Sequence, residues 1–343
     1  MKKGISLLLA LILLVSLCAC GPSGVPAQTT GEAGDPAHSR YPITVTDQAG
    51  RQVTIEQEPQ RLISSYYITT SLLMALGLDA HLVGVEDNAG LRPVYALSCP
   101  EILELPSIGT VKELDLESCA ALEPDLAILP MKVKDSVDDL EALGIQVLLV
   151  EPESQALLAE MIRLVGEATN TEVQAQELLS FIETQVHYLE TTLAEAPRPD
   201  VYLAGNSSIL TTAGDAMYQS DLIRLAGGKN VAGQIPDTYW AQIDYEQLLV
   251  WDPEYIILPS AASYTVADVM ADPNLAQCRA VASGKVFQIP GDAEAWDSPV
   301  PGSILGALWL AQVLHPELVD ETTCSEIMDA YYETFYHFQY SEI

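Results

Sequence analysis

Two adjacent phenols and a few cations at the ends of apolar runs are the residues of this chain best suited to chemistry. Ser65-Tyr66-Tyr67 directly follows the short strand-like run Leu62-Ile63-Ser64. Phenol rings placed there can stack on a flat ligand or hydrogen-bond a chelate, and as phenolate they are hard ligands for ferric iron. Lys132 and Lys134 follow Leu129-Pro130, and Arg92 lies in the segment after the run ending at Val85. In a chain with so few cations these positions point to an anionic ligand group, with a solvated loop as the alternative. Further along, Asn206 with Ser207 and Ser208, Tyr239-Trp240, the polar loop 260–264, and Trp296 in the Gly- and Pro-flanked loop 291–297 hold comparable places. For each aromatic the alternative is ordinary core packing.

Other chemistries are poorly supported. The five histidines (His38, His81, His187, His315, His337) are scattered, and none sits in a candidate loop beside an acidic partner, so a bare zinc or manganese ion is not expected. Cys99, Cys119, Cys278 and Cys324 show no C-x-x-C or Cys/His spacing, which argues against a zinc site and leaves any disulfide pairing open. Glu294 with Asp297, or Glu86 with Asp87, could form an acid–base pair. No G-x-S-x-G, P-loop, H-E-x-x-H or Cys-His constellation gives such a pair a reaction. The expectation is therefore a binding module with no catalytic residue, no resident metal and no cofactor. A formal net charge of −33 repels nucleic-acid phosphate. It serves solubility, or draws in a cationic ligand.

The elements that must position these residues carry an internal repeat. Residues 115–130 read DLESCAALEPDLAILP and residues 244–259 read DYEQLLVWDPEYIILP, aligned without a gap. Each copy predicts a short helix with a carboxylate in its first turn, where the helix dipole favours negative charge. A Pro-acid pair then stops the helix, and an apolar run has the length of a buried strand. One helix-turn-strand unit used twice implies two similar lobes.

Around the first copy, an alternating hairpin (residues 43–55) precedes a strand near 61–65, a helix over 69–76 and strands at 82–85 and 145–150. That rhythm predicts an α/β sheet with parallel strands. Residues 154–196 have no strand signal; after an interruption at 166–171, a helical pattern runs to Pro197. Strands resume at 200–204, and two helices close the chain, the last over 324–338. The expected organisation is a leader over 1–19, a tether over 20–40, a first α/β lobe over 41–153, a helical connector over 154–197, and a second α/β lobe over 198–343.

The leader has its own logic. Lys2 and Lys3 precede an apolar stretch at 5–17 that is too short for an ordinary membrane span, and it ends Leu17-Cys18-Ala19-Cys20-Gly21. This resembles the bacterial lipobox, which implies cleavage before Cys20 and lipidation of its thiol. Residues 21–40, rich in Gly, Pro, Ala, Thr and Ser, read as a flexible tether.

Taken together, VTDQAGRQVTI, RLISSYYITTSLLMALGL, LVGVEDN, LPSIGTVKELDLESCAALEPDLAIL, LEALGIQVLLV, LIRLAGGKNVAG and WAQIDYEQLLVWDPEYIIL resemble, in order and spacing, the class III (helical-backbone) substrate-binding lipoproteins of bacterial ABC importers. That family binds siderophores, haem, corrinoids and some oxyanions. The resemblance implies two α/β lobes with mainly parallel sheets joined by one long rigid helix, with the ligand in the cleft between them and only small closure. It implies that Glu117 and Glu246, the glutamates of the repeat, pair with arginines of a permease dimer that works with ATPase subunits. It further implies a monomer, held outside the cytoplasm by the lipid on Cys20. An aromatic-rich, His-poor set of loops fits a preassembled complex, so a ferric siderophore-type chelate is the first expectation, with corrinoid, haem and a molybdate-type oxyanion as alternatives. The expected ligand contacts are Tyr66, Tyr67, Arg92, Lys132, Asn206, Tyr239, Trp240 and Trp296.

Overall fold

In the computed structural model, which describes residues 40–235 and 240–343, the two copies of the repeat fold alike. Helix Leu116–Ala121 is capped by Asp115, whose carboxylate accepts from the Ser118 N–H at 3.0 Å, and strand Leu126–Pro130 follows. Helix Tyr245–Trp251 is capped by Asp244, which accepts from the Gln247 N–H at 2.8 Å, and leads into strand Tyr255–Leu258. In both, the cap satisfies one of the donors that a helix leaves open at its start.

Each repeat strand is interior to a four-stranded parallel sheet. In the first, Leu126–Pro130 lies between Leu62–Ser64 and Gln146–Val150, with Leu82–Gly84 at the edge. In the second, Tyr255–Leu258 lies between Val286–Gln288 and Asp200–Leu203, with Lys229–Asn230 at the edge. Every residue of the two repeat strands is buried, which is why both read as unbroken apolar runs rather than alternating ones. The chain is thus α/β with two lobes. The hairpin Ile43–Thr46 with Gln52–Ile55 is antiparallel as expected, its turn held by Asp47 accepting from the Ala49 and Arg51 N–H groups.

Between the lobes, Gln155–Ala168 and the 21-residue helix Glu172–Thr192 are separated by a turn in which Asn170 takes φ 60°. One apolar core runs from the hairpin through both of these helices to the C-terminal helix Glu321–Tyr336, touching both sheets, while the far side of each sheet has a smaller core of its own.

Three placements differ from expectation. The helix expected over 69–76 is Tyr67–Ala75, with Tyr66 at its N-cap. Ile68 through Ala75 are all buried, so no amphipathic period marked where it begins. Thr211–Ala213 pairs antiparallel with Trp240–Gln242, a pairing of strands too short to show a period. The C-terminal helix packs against the second lobe's Ser303–Leu314 and also against Tyr67–Ala75 and Pro93–Ser98 of the first.

Candidate ligand-binding site

A cavity of about 210 Å³ opens between the lobes where strands of both sheets end. The first lobe supplies Tyr67 and Ser71 from the helix after strand Leu62–Ser64, and Arg92 from the segment after strand Leu82–Gly84. The second lobe supplies Ser260 after strand Tyr255–Leu258, and Gly291 and Glu294 after strand Val286–Gln288. This is where open α/β sheets place their ligands.

Arg92 dominates the chemistry. Its guanidinium lies 3.9 Å from the centroid of the Tyr67 ring, a cation–π contact that fixes the long side chain in one direction. It forms no ion pair among the described residues, and its Nε is buried without a hydrogen-bond acceptor. The carboxyl behind it, Glu86, accepts from Thr70 Oγ1 and Tyr95 Oη, each at 2.7 Å, and burial pushes it above the usual carboxylate range. Helix Tyr67–Ala75 starts at the same wall with no side-chain cap, so its first N–H groups and the positive end of its dipole add to the cation.

On the opposite wall the carboxyls are held by neighbouring donors. Asp297 is buried, and its carboxylate is taken up by the Ser260 hydroxyl at 2.7 Å and the Ser260 N–H at 3.3 Å. Glu294 is buried, and burial lifts its carboxyl to about 8 although Tyr332 and Tyr336 hydrogen-bond it. Two contacts cross between the walls. The Val94 N–H donates to the Ala293 carbonyl at 3.1 Å, and the Tyr67 hydroxyl meets the Ser298 side chain.

Of the contacts expected from sequence, the fold brings Tyr67 and Arg92 together on this cavity. Tyr66 packs edge-on against Tyr67, its ring buried in the core. Lys132 is exposed, does not line the cavity, and lowers the carboxyl of Glu153 against burial. Asn206 is exposed in the second lobe, and Trp240 is 41% exposed on the small antiparallel sheet; neither lines the cavity. Tyr239 and Cys20 lie outside the described residues. Exposure of Trp296 to the cleft is corrected: only 1% of it is accessible, and its indole N–H donates to Tyr332 Oη at 2.9 Å beneath the cavity. Gly306 makes room for it, since a Cβ there would stand 2.8 Å from Trp296. Missed altogether was Ser71, an inward-facing residue in an all-buried helix. Ser260 and Gly291 lay in loops already singled out.

Residues 62–293, which contain both walls, match the family model for periplasmic binding proteins. The chain belongs to that family. It is the substrate-binding protein of an ABC importer and works outside the cytoplasm, as a binding protein and not an enzyme. Among its relatives, the molybdate-binding protein MolA of Haemophilus influenzae is 25% identical over 86% of this chain and 91% of its own length. An uncharacterized ABC transporter substrate-binding lipoprotein, YvrC of Bacillus subtilis, is 24% identical over 94% of this chain and 100% of its own. A vitamin B12-binding protein of Photorhabdus laumondii is 26% identical over 58% of this chain and 70% of its own. The structure of MolA bound to molybdate superposes with a TM-score of 0.78 at 24% identity, covering 87% of this chain and 99% of MolA. The binding protein's partners therefore include a permease and its ATPase.

Proposed function

We propose that this binding protein captures a compact oxyanion of the molybdate type and delivers it to its permease. One observation carries the reading: Arg92 reaches the cavity with a buried Nε that has no acceptor, and its guanidinium makes no ion pair, among the described residues. A buried donor left open costs about 1–3 kcal/mol, more when charged, and an oxyanion entering beside it removes that cost with a charge-assisted bond. Size supports the same choice. The cavity, about 210 Å³, falls below the range of roughly 300–1,000 Å³ that drug-sized ligands occupy, and a corrinoid or ferric siderophore is larger still. The molybdate-binding relative agrees with this assignment.

Delivery runs through Glu117 and Glu246, exposed in the first turn of the two repeat helices and without an ion pair among the described residues. They meet permease arginines, while a lipid on Cys20 keeps the protein at the membrane. A lipoprotein among the relatives fits that anchor.

The test is titration of the protein, followed by intrinsic fluorescence and calorimetry, with molybdate, tungstate, cyanocobalamin, haemin and a ferric siderophore. Saturable binding of molybdate or tungstate alone is the expected result. Tight binding of cobalamin, haem or a ferric chelate with no response to either oxyanion overturns the reading.

A further inference from the structure

Beneath the cavity a buried hydrogen-bond chain crosses from one lobe to the other. Trp296 Nε1–H donates to Tyr332 Oη at 2.9 Å, and Tyr332 Oη lies 3.3 Å from Glu294 Oε2. Tyr336 Oη lies 3.2 Å from Glu294 Oε1 and 3.1 Å from the main-chain oxygen of Ser71. Trp296 and Glu294 belong to the second lobe, and Ser71 belongs to the helix that lines the first lobe's wall. Glu294, Trp296, Tyr332, Tyr336 and Ser71 are all buried, so each donor and acceptor has to be satisfied inside the chain.

Tyr336 has one proton and two buried oxygens to give it to, Glu294 Oε1 and the Ser71 main-chain oxygen, with the Tyr331 hydroxyl alongside. With Glu294 neutral, the carboxyl's own O–H is given to Tyr336 Oη, and Tyr336 gives its proton to Ser71. Donation then runs in one direction along the whole chain, Trp296 to Tyr332 to Glu294 to Tyr336 to Ser71. With Glu294 ionised, the carboxylate accepts only, Tyr336 joins Tyr332 in donating to it, and the Ser71 oxygen loses its phenol donor and keeps only its bond within the helix. We propose that Tyr336 is a positioning residue that ties the C-terminal helix to the cavity wall of the first lobe, and that the proton on Glu294 decides whether the tie is made.

The ionisable groups around the carboxyl are few. Tyr331, Tyr332 and Tyr336 face it from the C-terminal helix, Tyr67 and Arg92 line the same cavity from the first lobe, and Asp297 lies on its own loop. Burial is the largest influence on the carboxyl and raises it, while Tyr336 and Tyr332 act in the opposite sense. The neutral form therefore prevails at neutral pH and gives way as pH rises through about 8.

The inference is independent of which ligand the cavity takes, so its test uses ligand-free protein. Hydrogen exchange of helices Tyr67–Ala75 and Glu321–Tyr336, corrected for intrinsic rates, is compared below and above the Glu294 transition in the wild type, Glu294→Gln and Tyr336→Phe. In the wild type, protection should fall by about tenfold at the higher pH, the size of one lost hydrogen bond. Glu294→Gln, a permanent neutral donor, should keep its protection at both. Tyr336→Phe should be weakly protected at both. Protection in the wild type that ignores pH, or an equal fall in Glu294→Gln, overturns the inference. Should Glu294→Gln not fold, Tyr336→Phe decides: protection equal to the wild type at the lower pH sinks the tie.

Discussion

The Arg92 guanidinium lies over the Tyr67 ring, 3.9 Å from its centroid, and both side chains line the interlobe cavity. The ring orients the cation without neutralising it. Arg92→Ala should weaken molybdate binding by about 10- to 100-fold, the worth of a charge-assisted hydrogen bond. Arg92→Lys should fall between, since it keeps the charge and loses the fork. Tyr67→Leu should cost only about fivefold, a cation–π contribution. Calorimetric titration of the three variants checks the order, and an unchanged Kd in Arg92→Ala would remove the guanidinium from the site.

Glu294 predicts a pH-dependent stability. Its folded carboxyl is raised to about 8 from an ordinary value of 4.5. The stability this group contributes is therefore full below about pH 4.5 and is lost as pH rises towards 8, because the unfolded chain releases a proton that the folded one retains. Other buried acids, Glu86 and Asp297 among them, are raised in the same sense, so the difference between variants isolates this one. Glu294→Gln lacks the loss. Its stability advantage over the wild type should grow between about pH 5 and 8, by an amount on the order of a few kcal/mol, and its Tm advantage with it. Melts at the two pH values check it; a constant difference is the adverse outcome.

For the repeat glutamates, binding and delivery should separate. Glu117→Ala with Glu246→Ala should leave ligand titration unchanged, because both residues sit on exposed helix starts away from the cavity. Uptake through the reconstituted importer should fall by at least about tenfold, as expected when a complementary charge pair is removed. Normal uptake by the double variant would move the docking surface elsewhere.

At Gly306 two effects oppose each other, and geometry sets the sign. Alanine is favoured over glycine inside a helix by about 1 kcal/mol. The added Cβ would stand 2.8 Å from both the Cβ and the backbone oxygen of buried Trp296, and neither atom can swing aside. Gly306→Ala should therefore lower stability by about 1–3 kcal/mol, the usual cost of overpacking. A denaturant midpoint at or above the wild type would show that the indole relocates.

The repeat was legible because its signals are local: an Asp cap, a Glu two residues on, a Pro stop and a buried strand. The same locality exposed the hairpin turn and the helical character of residues 154–196. Arg92 and Tyr67 were legible as strand-end residues, but not their contact, which joins segments 25 positions apart through the sheet. Trp296 was misplaced because a loop rich in Gly and Pro usually lies at the surface, whereas here the C-terminal helix folds over it. Ser71 gave no signal, since a helix buried on every side has no polar face against which an inward hydroxyl would stand out. No local pattern announces a residue whose neighbours arrive from 265 positions away, as Tyr336 does at Ser71.

The apolar core that passes unbroken through both connecting helices has a calorimetric corollary. Swinging the lobes wide apart would wet that core, so the empty protein should already hold nearly the shape it takes when loaded. Capture then takes little additional apolar surface out of water, and its heat-capacity change is small. The enthalpy with which cargo arrives should hardly vary between a cold medium and a warm one.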